Sequence, residues 1–211
     1  TWAEADRTMV EILGGERLSD FVLREGLSEK DAALAEEKLK QTEFTQPAML
    51  TADLAIHRLL KEHGIVPDMV AGHSLGEYAA LMVSGILRFH DALSAAAARG
   101  TEMGSVEVPD RGLMASVTAP YDTVLKIIES SDGYVIAANK NSPSMTVIAG
   151  ETGPMNAVLA DFAQRGIQCV VLQTSHAFHS RIVAPANEPL RRFLEGLEIS
   201  LPKIPITANY D

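Results

Sequence analysis

The chain has 211 residues, 46% of them hydrophobic, and a formal net charge of −10 from 18 basic against 28 acidic side chains. That length and apolar content suit one or two domains with a buried core. No apolar run approaches the ~18 residues that span a bilayer and the N-terminus lacks a basic stretch followed by a hydrophobic one, so a cytoplasmic protein is expected, while the acidity argues against nucleic acid or a membrane surface as partner.

The first element is a helix from Ala3 to Leu13, stopped by Gly14-Gly15, and Ser28 with Asp31 three residues on resembles a capping box for a charged helix running to Lys40. A further helix is predicted to start near Gln46-Pro47, because proline suits a first helical turn, and to end at Gly64. A buried strand from Met69 to Ala71 then leads into Gly72-His73-Ser74-Leu75-Gly76-Glu77, with a helix to about Gly85 and an alanine-rich one from Asp91 toward Met103. From Gly112 the pattern changes. Strands at Leu113–Thr118, Tyr134–Ala138, Met145–Ala149 and Cys169–Leu172 interleave with two helical faces, one of Tyr121, Val124, Leu125 and Ile128 and one of Met155, Val158, Leu159 and Phe162. Strand, helix, strand, strand, helix, strand is the order of a split βαβ, ferredoxin-like unit. The single cysteine, Cys169, has no partner for an internal disulfide and reads as a small core residue. After about Ser175 come His176-Ala177-Phe178-His179, a helix over Ala184–Leu194 and a last strand near Ile204–Asn209.

The Gly-x-Ser-x-Gly stretch has the form of a nucleophile elbow, in which a strand turns sharply into a helix with a strained serine at the apex. Gly72 and Gly76 are expected to remove Cβ atoms that would collide across the turn, and the N–H groups opening the next helix, that of Leu75 included, are placed to hold an oxyanion. The alternative is a glycine-rich turn with an incidental serine. Ser74 needs a base. Of the six histidines, His57, His63 and His90 read as surface or packing residues, and His73, adjacent to the serine, is better placed to support the turn than to take its proton. His176 and His179 remain, in a loop just past a strand end. As a His-x-x-His pair they would suit a metal, but no Cys, Asp or Glu cluster lies near at ligand spacing. Arg99 could serve as a fork for a carboxylate, but on the residues alone the stronger reading is a helix-end arginine beside Gly100.

GHSLGE at 72–77, TQPA at 45–48 and HAFH at 176–179, in that order, resemble the acyltransferase domain of polyketide and fatty-acid synthases and the similar malonyl-CoA:acyl-carrier-protein transacylases. The resemblance covers most of the chain. It implies an α/β large subdomain, hydrolase-like with a parallel sheet, over 1–111 and 175–211, and an inserted ferredoxin-like small subdomain over 112–174. It implies transfer of a malonyl group from malonyl-CoA, through an acyl-enzyme on Ser74 with His179 as base, to the phosphopantetheine thiol of an acyl-carrier protein, without cofactor or metal. Gln46, His73, Arg99, His176 and Phe178 are then expected around the substrate: Arg99 on the malonyl carboxylate, and Phe178 where a methyl branch would sit. Carriers of this kind are acidic, which makes Arg181, Arg191 and Arg192 candidate docking residues, and other synthase domains are expected partners. The resemblance also expects a glycine- and glutamine-containing turn ahead of Thr1 and a closing segment past Asp211, so the large subdomain is expected to be incomplete at both ends. A serine hydrolase such as a thioesterase, and a silent assembly domain, are the competing readings.

Overall fold

A computed structural model describes residues 1–209. The chain divides into two compact units, one of Thr1–Gly104 with the segment from Pro189 onward, the other of Ser105–Glu188. It is an α/β protein.

The first unit is built on helices α1 (Trp2–Ile12), α2 (Leu18–Val22), α3 (Glu29–Leu39), α4 (Thr42–Glu62), α5 (Gly76–Val83) and α6 (Phe89–Gly104). The N-cap half of the box at the start of α3 forms: Ser28 Oγ accepts from the Asp31 N–H at 3.2 Å, and its hydroxyl also donates to the Asp31 carboxylate at 2.7 Å. The core gathers Met9, Leu18, Leu50, Leu54, Leu93 and Ala96, all buried. Small residues on α6, Ala92, Ala95 and Ala96 among them, let it lie close against α4. Helix α4 starts a turn earlier than expected. Its first residue, Thr42, donates its hydroxyl to the Gly100 carbonyl of α6 at 2.7 Å, a bond across 58 positions that fixes the start, and Pro47 falls inside the helix. Among the described residues one parallel strand pair forms, joining β1 (Val70–Ala71) to β6 (Ile206–Thr207), with Val70 opposite Ile206 and Ala71 opposite Thr207. The strand expected to be buried is not: Met69 is 60% exposed and Ala71 is exposed too.

The second unit runs β2 (Leu113–Val117), α7 (Tyr121–Ile128), β3 (Val135–Ser142), β4 (Met145–Gly150), α8 (Thr152–Gln164) and β5 (Cys169–Val171). Its strands form an antiparallel sheet in the order β3-β4-β2-β5. Period-two alternation decides what each face meets. Ala115, Val117 and Ile148 point to α7 and α8, packing on Val124, Ile127, Met155, Val158 and Phe162. Met114, Val147 and Ala149 point the other way, onto Ala177 and Ile182. This second face moves the boundaries outward from the expected 111/112 and 174/175. The 105–111 and 175–188 segments belong to this unit because they cover its sheet, and Ala177 N–H also donates to the Arg111 carbonyl at 2.8 Å. Helix α9 (Asn187–Glu195) begins later than expected, after a 3-10 turn over Arg181–Ala186 that contains Pro185. Cys169 is only half-buried, at the edge strand, where burial pushes its thiol up.

Candidate active site

Ser74 ends a turn that leaves β1 and enters α5. Its φ is +52°, in the left-handed region that a residue with a Cβ adopts at a cost of about 1–3 kcal/mol. Two bonds close the turn, from Gly76 N–H to the His73 carbonyl at 2.9 Å and from Glu77 N–H to the Ser74 carbonyl at 3.1 Å. The two glycines differ in what they do. A Cβ on Gly72 would stand 2.1 Å from the Gly76 carbonyl carbon, so Gly72 is obligatory, whereas a Cβ on Gly76 meets nothing within 4 Å. The expectation that both prevent a collision is therefore corrected: the collision is at Gly72, and Gly76 contributes the backbone that Gly72 approaches. Leu75 caps α5, and its N–H has no acceptor among the described residues, as an oxyanion donor requires.

Arg99 and Gln46 meet Ser74 from α6 and α4. One guanidinium nitrogen of Arg99 donates to Gln46 Oε1 at 2.7 Å and the other to Ser74 Oγ at 3.3 Å. Gln46 is buried and Arg99 half-buried. Burial pushes the guanidinium below its ordinary value, and Tyr78 and Glu77 oppose that shift; a guanidinium is basic enough to stay a cation. A positive fork thus lies beside the hydroxyl, held by an amide rather than a carboxylate, with its charge unneutralised by Gln46. That arrangement suits an anionic group on whatever reacts with Ser74. Of the two readings of Arg99, the helix-end one has lost ground, since its guanidinium reaches a side chain on another helix.

His73 is exposed and lines a separate apolar cavity of about 570 Å³ with Met49, Leu60, Val66 and Val70; Ser74, Gln46 and Arg99 do not line it. His73 thereby borders a different space from the one that Gln46 and Arg99 share with Ser74.

In the second unit, the HAFH loop separates its two histidines by burial. His176 is fully buried, with Nε2 on the Val106 carbonyl at 3.0 Å and Nδ1 on Ser175 Oγ at 3.2 Å. A carbonyl only accepts, so Nε2 carries a proton and donates to it, while Nδ1 is paired with the serine hydroxyl. Both ring nitrogens are engaged within the unit, so His176 braces the loop that carries His179. His179 is exposed, with φ +56°. Among the described residues, Ser74 and His179 alone combine a side chain with a left-handed backbone. Phe178 is half-buried against the Met114, Val147 and Ala149 cluster. The candidate docking arginines are engaged: Arg181 with Glu151 at 2.9 Å and over the Tyr134 ring, Arg191 with Glu195. Among the described residues no group of three or more His, Cys, Asp or Glu side chains suits a metal ion, and no helix is long and apolar enough to cross a membrane.

Two polar residues that the sequence reading passed over frame the elbow. Asn209 donates its side-chain amide to the Gly72 carbonyl and its backbone N–H to Glu77 Oε1 at 3.0 Å. Glu77 was legible as the last residue of the GHSLGE motif; Asn209 carried no local signal.

A family model described as acyl transferase domain matches residues 1–210. A phenolphthiocerol synthesis type I polyketide synthase from Mycobacterium marinum is 38% identical over 89% of this chain, which spans 8% of that synthase. The malonyl CoA-acyl carrier protein transacylase of Bacillus subtilis is 34% identical over 82% of this chain, which spans 56% of it. Among solved structures, the acyltransferase domain from the second module of the salinomycin polyketide synthase is similar at a TM-score of 0.81 and 34% identity, over 99% of this chain and 47% of that one. This chain therefore spans a small part of the synthase it matches and about half of the shorter relatives. On the family match and on this identity, the chain belongs to the acyl transferase domain family.

Proposed function

We propose that the protein moves a malonyl group from malonyl-CoA to the phosphopantetheine thiol of an acyl-carrier protein through an ester on Ser74. The observation that carries this reading is the Arg99 guanidinium 3.3 Å from Ser74 Oγ. A cation so close to a nucleophile favours an acyl group that ends in a carboxylate, which a simple esterase has no use for. Ser74 Oγ attacks the thioester carbonyl and its proton passes to His179; the oxyanion is held by backbone N–H groups including that of Leu75. The C–S bond then breaks and CoA leaves as the thiol, taking the proton from His179. In the second half the carrier thiol gives its proton to His179 as it attacks the ester, and Ser74 recovers a proton as it departs. Gln46 orients Arg99, and Phe178 presents a ring beside the α-carbon of the acyl group.

The same reading takes the first unit as a hydrolase-like subdomain carrying the elbow, and the second as a ferredoxin-like one carrying the base. The βαββαβ order and the β3-β4-β2-β5 sheet support the latter assignment. Partners in addition to malonyl-CoA and the carrier are other domains of a multidomain synthase, in keeping with the relative from Mycobacterium marinum.

Intact-mass measurement after mixing with malonyl-CoA tests the proposal. A malonyl adduct is expected on the wild type, absent from Ser74→Ala, stable in buffer and discharged on adding a phosphopantetheinylated carrier. An adduct mapped elsewhere refutes the role of Ser74. One that decays to free malonate in buffer, with no gain from the carrier, makes the protein a hydrolase.

A further inference from the structure

We propose that Asn209 and Glu77 form a clamp that positions the nucleophile, fastening the two limbs of the elbow to the end of β6. The inference rests on the acyl-transfer reading of Ser74. Strand β1 stops at Ala71, so the Gly72 carbonyl emerges where the parallel ladder has ended. The register pairs Ala71 with Thr207, which carries Asn209 alongside the turn two residues later. Its side-chain amide then supplies to Gly72 the donor that another ladder residue would have supplied. Its backbone N–H goes to Glu77 Oε1, in the first turn of α5. One residue thus holds the incoming limb at Gly72 and the outgoing limb at Glu77, and the four residues between them include Ser74 at φ +52°.

A left-handed serine persists only where its surroundings over-determine it. The bonds inside the turn, His73 to Gly76 and Ser74 to Glu77, fix its curl, while the ladder to β6 holds the incoming limb only as far as Ala71. Asn209 sets the turn's direction relative to β6, and with it where Ser74 Oγ stands against the Arg99 fork. The amide of Asn209 bonds at Gly72 and its N–H at Glu77, not at the serine oxygen, so its effect on reaction passes through the backbone of Ser74 alone.

The test compares Asn209→Ala, Asn209→Asp, Glu77→Ala and Glu77→Gln with wild type. Three quantities are read: the rate constant and half-saturation for Ser74 acylation by malonyl-CoA, the rate of Ser74 labelling by a neutral fluorophosphonate, and the midpoint of urea unfolding. A misplacement approaching 1 Å is worth on the order of 10²-fold in rate, so both Asn209 variants and Glu77→Ala should acylate about 10- to 100-fold more slowly at saturating thioester. Half-saturation should move less than about 3-fold, since a clamp on direction leaves the Arg99 fork in place. Glu77→Gln keeps the acceptor oxygen and should stay within about 3-fold of wild type. Fluorophosphonate labelling should fall in the same order. If the unfolding midpoint drops while acylation and labelling hold, Asn209 only anchors β6 and the proposal is wrong. It is equally wrong if Glu77→Gln is as slow as Glu77→Ala. Should wild type label with fluorophosphonate yet take no malonyl group, the acyl-transfer reading fails, and the labelling series still decides the clamp.

Discussion

Gly100→Ala tests whether the helix crossing that holds Arg99 governs the chemistry. A Cβ built on Gly100 stands 2.4 Å from the Thr42 carbonyl oxygen and 2.8 Å from Glu43 Cα. Both belong to the backbone of α4, so no flexible side chain can give way. Real Cβ contacts scarcely fall below 3.0 Å, so the helices must part by at least 3.0 − 2.4 = 0.6 Å. Two effects compete. Alanine in a helix interior gains about 1 kcal/mol over glycine, while overpacking costs about 1–3 kcal/mol; with backbone on both sides the second should win. A net loss of up to about 2 kcal/mol lowers Tm by a few degrees in a chain of this size. The same displacement stretches the 2.7 Å bond from Arg99 to Gln46 and carries the guanidinium away from Ser74. Malonyl transfer should then fall about 10-fold, and acetyl transfer less, because only the malonyl group uses the fork. Calorimetry together with kcat/KM for malonyl-CoA and acetyl-CoA checks both halves. An unchanged Tm means that the α4–α6 contact is slack, and an unchanged malonyl-to-acetyl ratio means that Arg99 does not depend on it.

Arg99→Ala should reduce transfer from malonyl-CoA about 10- to 150-fold relative to acetyl-CoA, the worth of hydrogen bonds to a charged group, and Arg99→Lys should recover only part because it lacks the fork; equal losses for the two thioesters refute the carboxylate role. His179→Ala should slow acylation far more than His176→Ala does, whereas His176→Ala should cost more stability, since it leaves the Val106 carbonyl without its buried donor; stopped-flow and thermal melts of the pair check both orders. Phe178→Ser should relax discrimination against methylmalonyl-CoA by about 10- to 200-fold at most, measured as relative kcat/KM, and an unchanged ratio leaves Phe178 a packing residue against Met114. Asp110 accepts from Thr152 Oγ1, Gly112 N–H and Thr152 N–H, which together hold its carboxyl below the usual range. Its folded value being depressed, its contribution is present above about pH 4 and is lost as pH falls through the folded value. Asp110→Asn should therefore lower the urea midpoint modestly at pH 7, and the difference should shrink as pH falls below the usual carboxylate range.

The second unit was the most legible part of the fold because its signals are local. Alternation in β2 and β4 and the four-residue helical spacings on α7 and α8 each act within a few residues, and the faces they define are the ones that pack. Where the outcome depended on distant contacts, the reading slipped. Pro47 looked like a first-turn residue, but the start of α4 is set by Thr42 bonding to Gly100, a partner the local pattern does not contain. The loop after β5 read as a return to the first unit, although Ala177 and Ile182 are apolar because they roof the far face of the sheet.

The site divides along the same line. Motif residues made Ser74 and the HAFH loop visible, yet the motif treats Gly72 and Gly76 alike and His176 and His179 alike. Space around a missing Cβ separates the glycines, and burial separates the histidines. Backbone strain then narrows the choice without using the motif at all. Left-handed φ values at residues with a Cβ are disfavoured, and at turns glycine relieves them, as it does in this chain at Gly64, Gly85 and Gly166. Ser74 and His179 hold that conformation with side chains in place. The side chains are retained at a cost to stability, and on the proposed acyl-transfer reading that cost goes with Ser74 as nucleophile and His179 as base.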